Sequence, residues 1–105
     1  MTIEIRNAII KSTTLTTADH GCLSSFLTLD YGGTCQGFGG YTLYSPEYQS
    51  VNTGIWIWEI LKITDNTEWS NVPGSSVRVK REGKLAIAIG HFLEDLWFTP
   101  EEHFK

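Results

Sequence analysis

The chain is short of cysteine, of long apolar runs and of positive charge, and each shortage removes a class of protein. Its two cysteines, Cys22 and Cys35, lie thirteen positions apart. That is neither a disulfide framework nor metal-ligand spacing, so free thiols in a cytosolic protein are the expectation. No apolar run reaches the roughly 18 residues of a membrane span, and Met1-Thr2-Ile3-Glu4 lacks the basic start of a secretory signal. No membrane partner is expected. Eight Lys and Arg stand against twelve Asp and Glu, a net charge of −4. A general nucleic-acid binder needs a basic field, so no DNA partner is expected, although a small anion can still be held at a local basic site. His20, His91 and His103 show no i, i+4 pairing and no carboxylate at motif distance, so no metal and no cofactor are expected. Repeats and linkers are absent too, and 105 residues make a single domain over 1–105.

What is present is apolar and aromatic. Hydrophobic residues make up 41% and aromatics 12%, which argues against disorder. Four tryptophans in so short a chain leave some for an interface or a ligand. A domain of this size has a small stability margin, which association would raise. Five of the ten glycines fall between Gly32 and Gly40, interleaved with Tyr31, Phe38, Tyr41 and, just beyond, Tyr44. Open backbone amides beside flat rings suit a nucleotide, amides for phosphate and rings for the base. The spacing Gly37-Phe38-Gly39-Gly40 is not a dinucleotide fingerprint. The ordinary alternative is a tight Gly32-Gly33 hairpin followed by a glycine-kinked strand.

Taken in order, Ile3, Ile5 and Ile9 alternate with Glu4 and Arg6, the pattern of a half-buried strand over 2–11. Residues 12–17, rich in Ser and Thr, read as extended edge or loop, and Asp19-His20-Gly21 as a turn. Leu23, Ser25, Leu27, Leu29 and Tyr31 share one face of a second strand, and a third follows over 34–44. Residues 54–63 are β-branched and aromatic, yet Trp56, Ile60 and Ile63 fall at helical spacing. The run predicts a mostly buried helix with Asn52 or Thr53 as its cap. Trp56 and Trp58 point about 200° apart on such a helix, so one of them faces a second surface. Trp69 tacks a short turn onto the core, and Pro73-Gly74 is a turn pair. Val77 and Val79 point inward on a fourth strand, with Arg78 and Lys80 on its other face. Leu85, Ile87 and Ile89 make the last strand, 92–98 an aromatic-rich exit, and Pro100 opens a short terminal helix. The fold class is α+β: an antiparallel sheet of about five strands, one main helix packed on it, and a short C-terminal helix or extended tail.

Arg78, Lys80 and Arg81 form the one dense positive cluster, three of the eight basic residues. Arginine's fork suits phosphate. The plain alternative is a solvated strand face paired with Glu82 or another acid. The start of the predicted helix, Asn52-Thr53-Gly54, offers free amides for an anion or simply an ordinary cap. Cys22 beside His20 has the makings of nucleophile and base, but it opens a hydrophobic strand and no cysteine-catalysis signature surrounds it.

With these residues laid out, the sequence resembles the phage-encoded Thoeris anti-defence proteins of the first described kind, small sponges for cyclic ADP-ribose isomers. The resemblance runs through Ile3-Glu4-Ile5-Arg6-Asn7-Ala8-Ile9-Ile10-Lys11-Ser12-Thr13-Thr14-Leu15, Asp30-Tyr31-Gly32-Gly33 and Gln36-Gly37-Phe38-Gly39-Gly40-Tyr41. It continues in Val77-Arg78-Val79-Lys80 and Ile89-Gly90-His91, and so spans nearly the whole chain. The resemblance implies a binding protein and not an enzyme, with no catalytic residues. It would act in the cytoplasm of the host bacterium, holding a signal of the glycocyclic ADP-ribose type intact so that the defence effector stays inactive. It implies a homodimer or higher homo-oligomer with the pocket at a subunit interface; some relatives also bind cyclic oligonucleotides. Carried onto this chain, it makes Phe38, Gly39, Gly40 and Tyr41 a ligand wall, with Phe38 or Tyr41 on the adenine. Arg78 with Lys80 or Arg81 becomes the pyrophosphate contact, and Trp97 and Phe98 close the pocket or touch the partner. The tryptophan-rich 55–58 segment departs from the pattern, leaving helix packing or the subunit contact open to difference. Two other readings compete: a protein-binding inhibitor of a defence enzyme, and a hydrolase of the cyclic nucleotide using His20 or His91 as base.

Overall fold

Alternation and turn chemistry lay the first three strands side by side. The computed structural model describes residues 2–104, so both ends of the expected domain, Met1 and Lys105, lie outside the described residues. Strand β1 spans Ile3–Asp19, β2 Cys22–Asp30 and β3 Cys35–Tyr44. The β1–β2 turn places His20 and Gly21 at φ 56° and 72°. In the β2–β3 turn one carboxylate oxygen of Asp30 accepts from the amides of Gly32 (2.8 Å) and Gly33 (3.3 Å), the local bonding that makes aspartate a turn residue.

Residues 12–17, expected as edge or loop, instead continue β1, pairing Thr13 with Leu27 and Leu15 with Ser25. Their threonines are β-branched, and a partner strand runs alongside for the whole distance. Strands β4 (Ser76–Glu82), β5 (Leu85–Gly90) and β6 (Trp97–Phe98) complete an antiparallel sheet in the order β3-β2-β1-β4-β5-β6. The strand beyond the expected five is β6, two residues of the aromatic exit paired with Ile89 and Gly90.

Helix α1 (Asn52–Thr64) covers one face, with Trp56, Ile60 and Ile63 buried at the expected spacing. Trp56 stacks on Phe38 at 5.7 Å and meets Phe98 edge-on at 5.8 Å. Trp58 points away and is 66% exposed, as the 200° argument requires of one of the pair. Neither Asn52 nor Thr53 caps the helix: Val51 is the N-cap, with no side-chain cap bond. The hydroxyls of Ser50 and Thr53 donate to the carbonyl of Leu43, so these side chains fasten the connection to β3 instead. The helix ends on Asp65 at φ 57°, whose amide and that of Asn66 close back on Lys62 and Leu61. A one-turn 3₁₀ helix at Trp69–Asn71 and the terminal helix α2 (Pro100–His103), with proline in its first turn, follow expectation.

The buried face of β1 is the opposite of the one its isoleucines suggested. Pairing sets Ala8 against Val77 and Ile10 against Leu29, all buried. Ile3, Ile5 and Ile9 therefore stand on the sheet's outer face, 42%, 54% and 50% exposed. In β5 likewise Ile89 is buried while Leu85 is exposed, because a register shift opposite Lys80 and Arg81 interrupts the alternation. The sheet curls until β3 and β5 touch, and the side-chain amide of Gln36 donates to the carbonyl of Lys84 across that seam at 2.6 Å. Cys22 and Cys35 are free thiols. Among the described residues no helix is long and apolar enough to cross a membrane.

Candidate functional site

Strand register arranges the outer face in rows. Asp30, Ile9 and Ser76 form one; Asn7, Arg78, Gly90 and Trp97 the next; Ile5, Lys80 and Ala88 a third. Gly90 carries no side chain, and the Trp97 ring occupies that space: an added Cβ would lie 2.5 Å from the ring. The Arg78 guanidinium sits 4.9 Å and the Lys80 ammonium 4.2 Å from the centre of this ring, two cations on one aromatic. The indole N–H of Trp97 donates to Asp95 at 3.0 Å, which fixes the ring plane. Arg78 is fixed as well. Its Nε donates to the carbonyl of His91 at 2.9 Å and its Nη2 to that of Glu94 at 2.7 Å, tying down the loop 91–96. Phe92 on that loop and Asn7, Ile9, Asp30 and Ser76 border a depression of about 280 Å³ beside the Arg78 row. The amides of Gly32 and Gly33 hold the Asp30 carboxyl below the usual carboxylate range, with burial opposing and Lys11 assisting.

The residues singled out in the sequence do not form one cluster. Arg78, Lys80 and Trp97 come together. Arg81 does not join them. It lies 5.2 Å over the ring of Tyr31, which Arg6 approaches at 4.9 Å, and its Nη1 is 3.5 Å from Glu4. Alternation sends it to the other side of β4. Phe38 and Phe98 are fully buried and pack on Trp56, so within this chain they wall the core and not a cleft. Gly39 is part of that packing. At φ 116° it lets Trp56 approach so closely that an added Cβ would lie 2.5 Å from the ring. Gly39 and Tyr41 also line a second cleft, about 220 Å³, at the β3–β5 seam with Leu85, Ile87 and Glu101. Gly40 is exposed, at φ 81°. Burial raises the Tyr41 hydroxyl above its ordinary pKa, and the charge of Glu101 adds to the rise. Tyr41 meets Phe104 edge-on at 5.5 Å, which occupies one side of its ring.

Sequence reasoning passed over Phe92, Asn7 and the isoleucine stripe. The signal in the sequence was the shared parity of Ile3, Ile5 and Asn7; that this parity falls on the side of Lys80 and Arg78 follows only from the β1–β4 register. His91 is engaged on both ring nitrogens, with Asp65 at 2.6 Å on Nε2 and the amides of Leu93 (3.0 Å) and Glu94 (2.9 Å) on Nδ1. Among the described residues, no three of His, Cys, Asp and Glu converge as a metal site would require. No family model matches the chain, and no curated protein and no solved structure is significantly similar to it.

Proposed function

We propose that this protein binds a cyclic ADP-ribose isomer of the glycocyclic type and holds it uncleaved, as the Thoeris anti-defence sponges that its sequence resembles do. The observation that carries the reading is the outer-face platform: Arg78 and Lys80 over Trp97, set beside the Phe92 depression and flanked by the isoleucines of β1. Paired cations suit a pyrophosphate, and the depression beside them offers a ring and polar edges to a base. Arg78 is pre-organised by its two carbonyl contacts, which lowers the cost of ordering it around a ligand. A sponge for a sub-micromolar signal needs a binding free energy on the order of −11 to −12 kcal/mol or better. One open face is too shallow for that. The exposed stripe of Ile3, Ile5 and Ile9 supports a second copy closing over it, as a homodimer or within a larger homo-oligomer. The setting is the cytoplasm of an infected host cell, where captured signal never reaches the effector.

Calorimetric titration with cyclic ADP-ribose isomers, followed by product analysis, tests the reading. Saturation at a fixed stoichiometry with the ligand recovered intact supports it. Continued turnover to linear ADP-ribose would make the protein a hydrolase. The same isoleucine stripe, with Trp58, also favours a second reading, an inhibitor that docks on a defence enzyme. That version gives a stable complex with the sensor or effector and no heat from the nucleotide.

A further inference from the structure

We propose that His91 is a proton-operated pin for the loop 91–96, holding Phe92 in place while its Nδ1 is unprotonated and releasing it when Nδ1 takes a proton. The hydrogen-bond network assigns the neutral tautomer. Nδ1 accepts from two backbone amides, those of Leu93 at 3.0 Å and Glu94 at 2.9 Å, so it presents a lone pair and the proton sits on Nε2, which donates to Asp65. A second proton can go nowhere but Nδ1. An N–H there would face two N–H donors, and both bonds would be lost at once. The charged groups around the ring come from three elements. Asp65, just beyond the end of α1, lies 2.6 Å from Nε2. Arg78 on β4 reaches the backbone carbonyl of His91, and Glu94 belongs to the loop itself. Asp65 supplies the counter-charge that makes the imidazolium tolerable, and the two amides supply the cost that falls on the loop.

What moves follows from what else holds the segment. The amide of His91 donates to the carbonyl of Leu96, and Arg78 grips the carbonyls of His91 and Glu94, contacts that do not involve the imidazole ring. The ends of the loop therefore stay anchored while its tip, with Phe92 and the 80%-exposed Leu93, comes loose. Phe92 lines the outer-face depression, so acid opens one wall of that depression. The inference is independent of which ligand, if any, sits there.

The test is an NMR titration of uniformly ¹⁵N-labelled protein from about pH 8 to about pH 5, the range where imidazoles ordinarily charge. The expected result is that the Nδ1 resonance of His91 and the amide resonances of Leu93 and Glu94 move with one midpoint. Exchange of those two amides, corrected for its intrinsic pH dependence, should speed up about tenfold as their bonds are lost. Asparagine places an acceptor oxygen where Nδ1 lies but does not titrate, so His91→Asn should keep the loop closed across the range. Asp65→Asn leaves both amide bonds to Nδ1 in place and should keep the loop closed at about pH 8, which separates the pin from the Asp65 contact. The proposal is overturned if His91 charges while the two amides stay protected, if it gains no second proton before the whole chain unfolds, or if the loop still opens in His91→Asn.

Discussion

Arg78 has two duties. Its guanidinium ties the carbonyls of His91 and Glu94, and its charge stands over Trp97 facing solvent. Under the proposed function, reversing that charge removes a phosphate partner and adds repulsion. Arg78→Glu should therefore weaken nucleotide binding by about 100-fold or more, equivalent to roughly 3 kcal/mol, read by the same calorimetric titration. It also frees two carbonyls, that of His91 half-buried and that of Glu94 exposed, and leaves the core untouched, so the variant should remain folded by circular dichroism. Undiminished affinity would remove Arg78 from the site. The alternation of Val77, Arg78, Val79 and Lys80 was enough to set Arg78 and Lys80 on a common face. The exclusion of Arg81 from them follows from the same alternation. The burial of Phe38 was not legible, because a phenylalanine between glycines reads alike on a wall and in a core. Only the ring of Trp56, brought in by a helix fourteen or more residues later, distinguishes the two.

Elements show the same split between local pattern and long-range pairing. Helix α1 was legible from its 3.6-residue period, and its two central tryptophans should respond oppositely to truncation. Trp56→Ala removes a fully buried ring packed on Phe38 and Phe98, and should cost about 3–5 kcal/mol in urea unfolding. Trp58→Ala, at an exposed position, should change the monomer's stability by less than about 0.5 kcal/mol. Equal losses would mean that Trp58 is covered in solution. The β2–β3 hairpin was equally plain in Asp30-Tyr31-Gly32-Gly33, and its chemistry is testable by pH. The Gly32 and Gly33 amides lower the Asp30 pKa in the folded chain. A depressed carboxylate contributes stability that is present above its unfolded value, near 4, and is lost as pH falls through the lower folded value. Wild type should thus exceed Asp30→Asn in urea midpoint at neutral pH, and the two should converge in acid below about pH 4. A gap that persists at low pH would assign the difference to something other than the carboxylate charge. The face of β1 was misread because parity in a strand depends on its neighbours. Ile3, Ile5 and Ile9 signal a strand, but Val77 and Leu29 decide which side is buried.

At the scale of the molecule, the six strands and the main helix of the described residues enclose a core on one side of the sheet and leave the other side apolar and basic in part. The α+β class and the packing of one helix were readable from the order of periodic segments. The curl that brings Gln36 to Lys84, and with it the seam cleft, was not, since it sums small twists over five strand pairings. The cationic-aromatic platform and the exposed isoleucine stripe are the two features on which the proposed binding of a small charged ligand between two copies rests. The most direct measurement is to mix purified protein with cyclic ADP-ribose isomers, wash it, denature it by heat, and identify what is released by mass spectrometry. The account predicts the intact cyclic nucleotide in near-stoichiometric amount. Linear ADP-ribose in excess over protein, or no retained nucleotide at all, would contradict it.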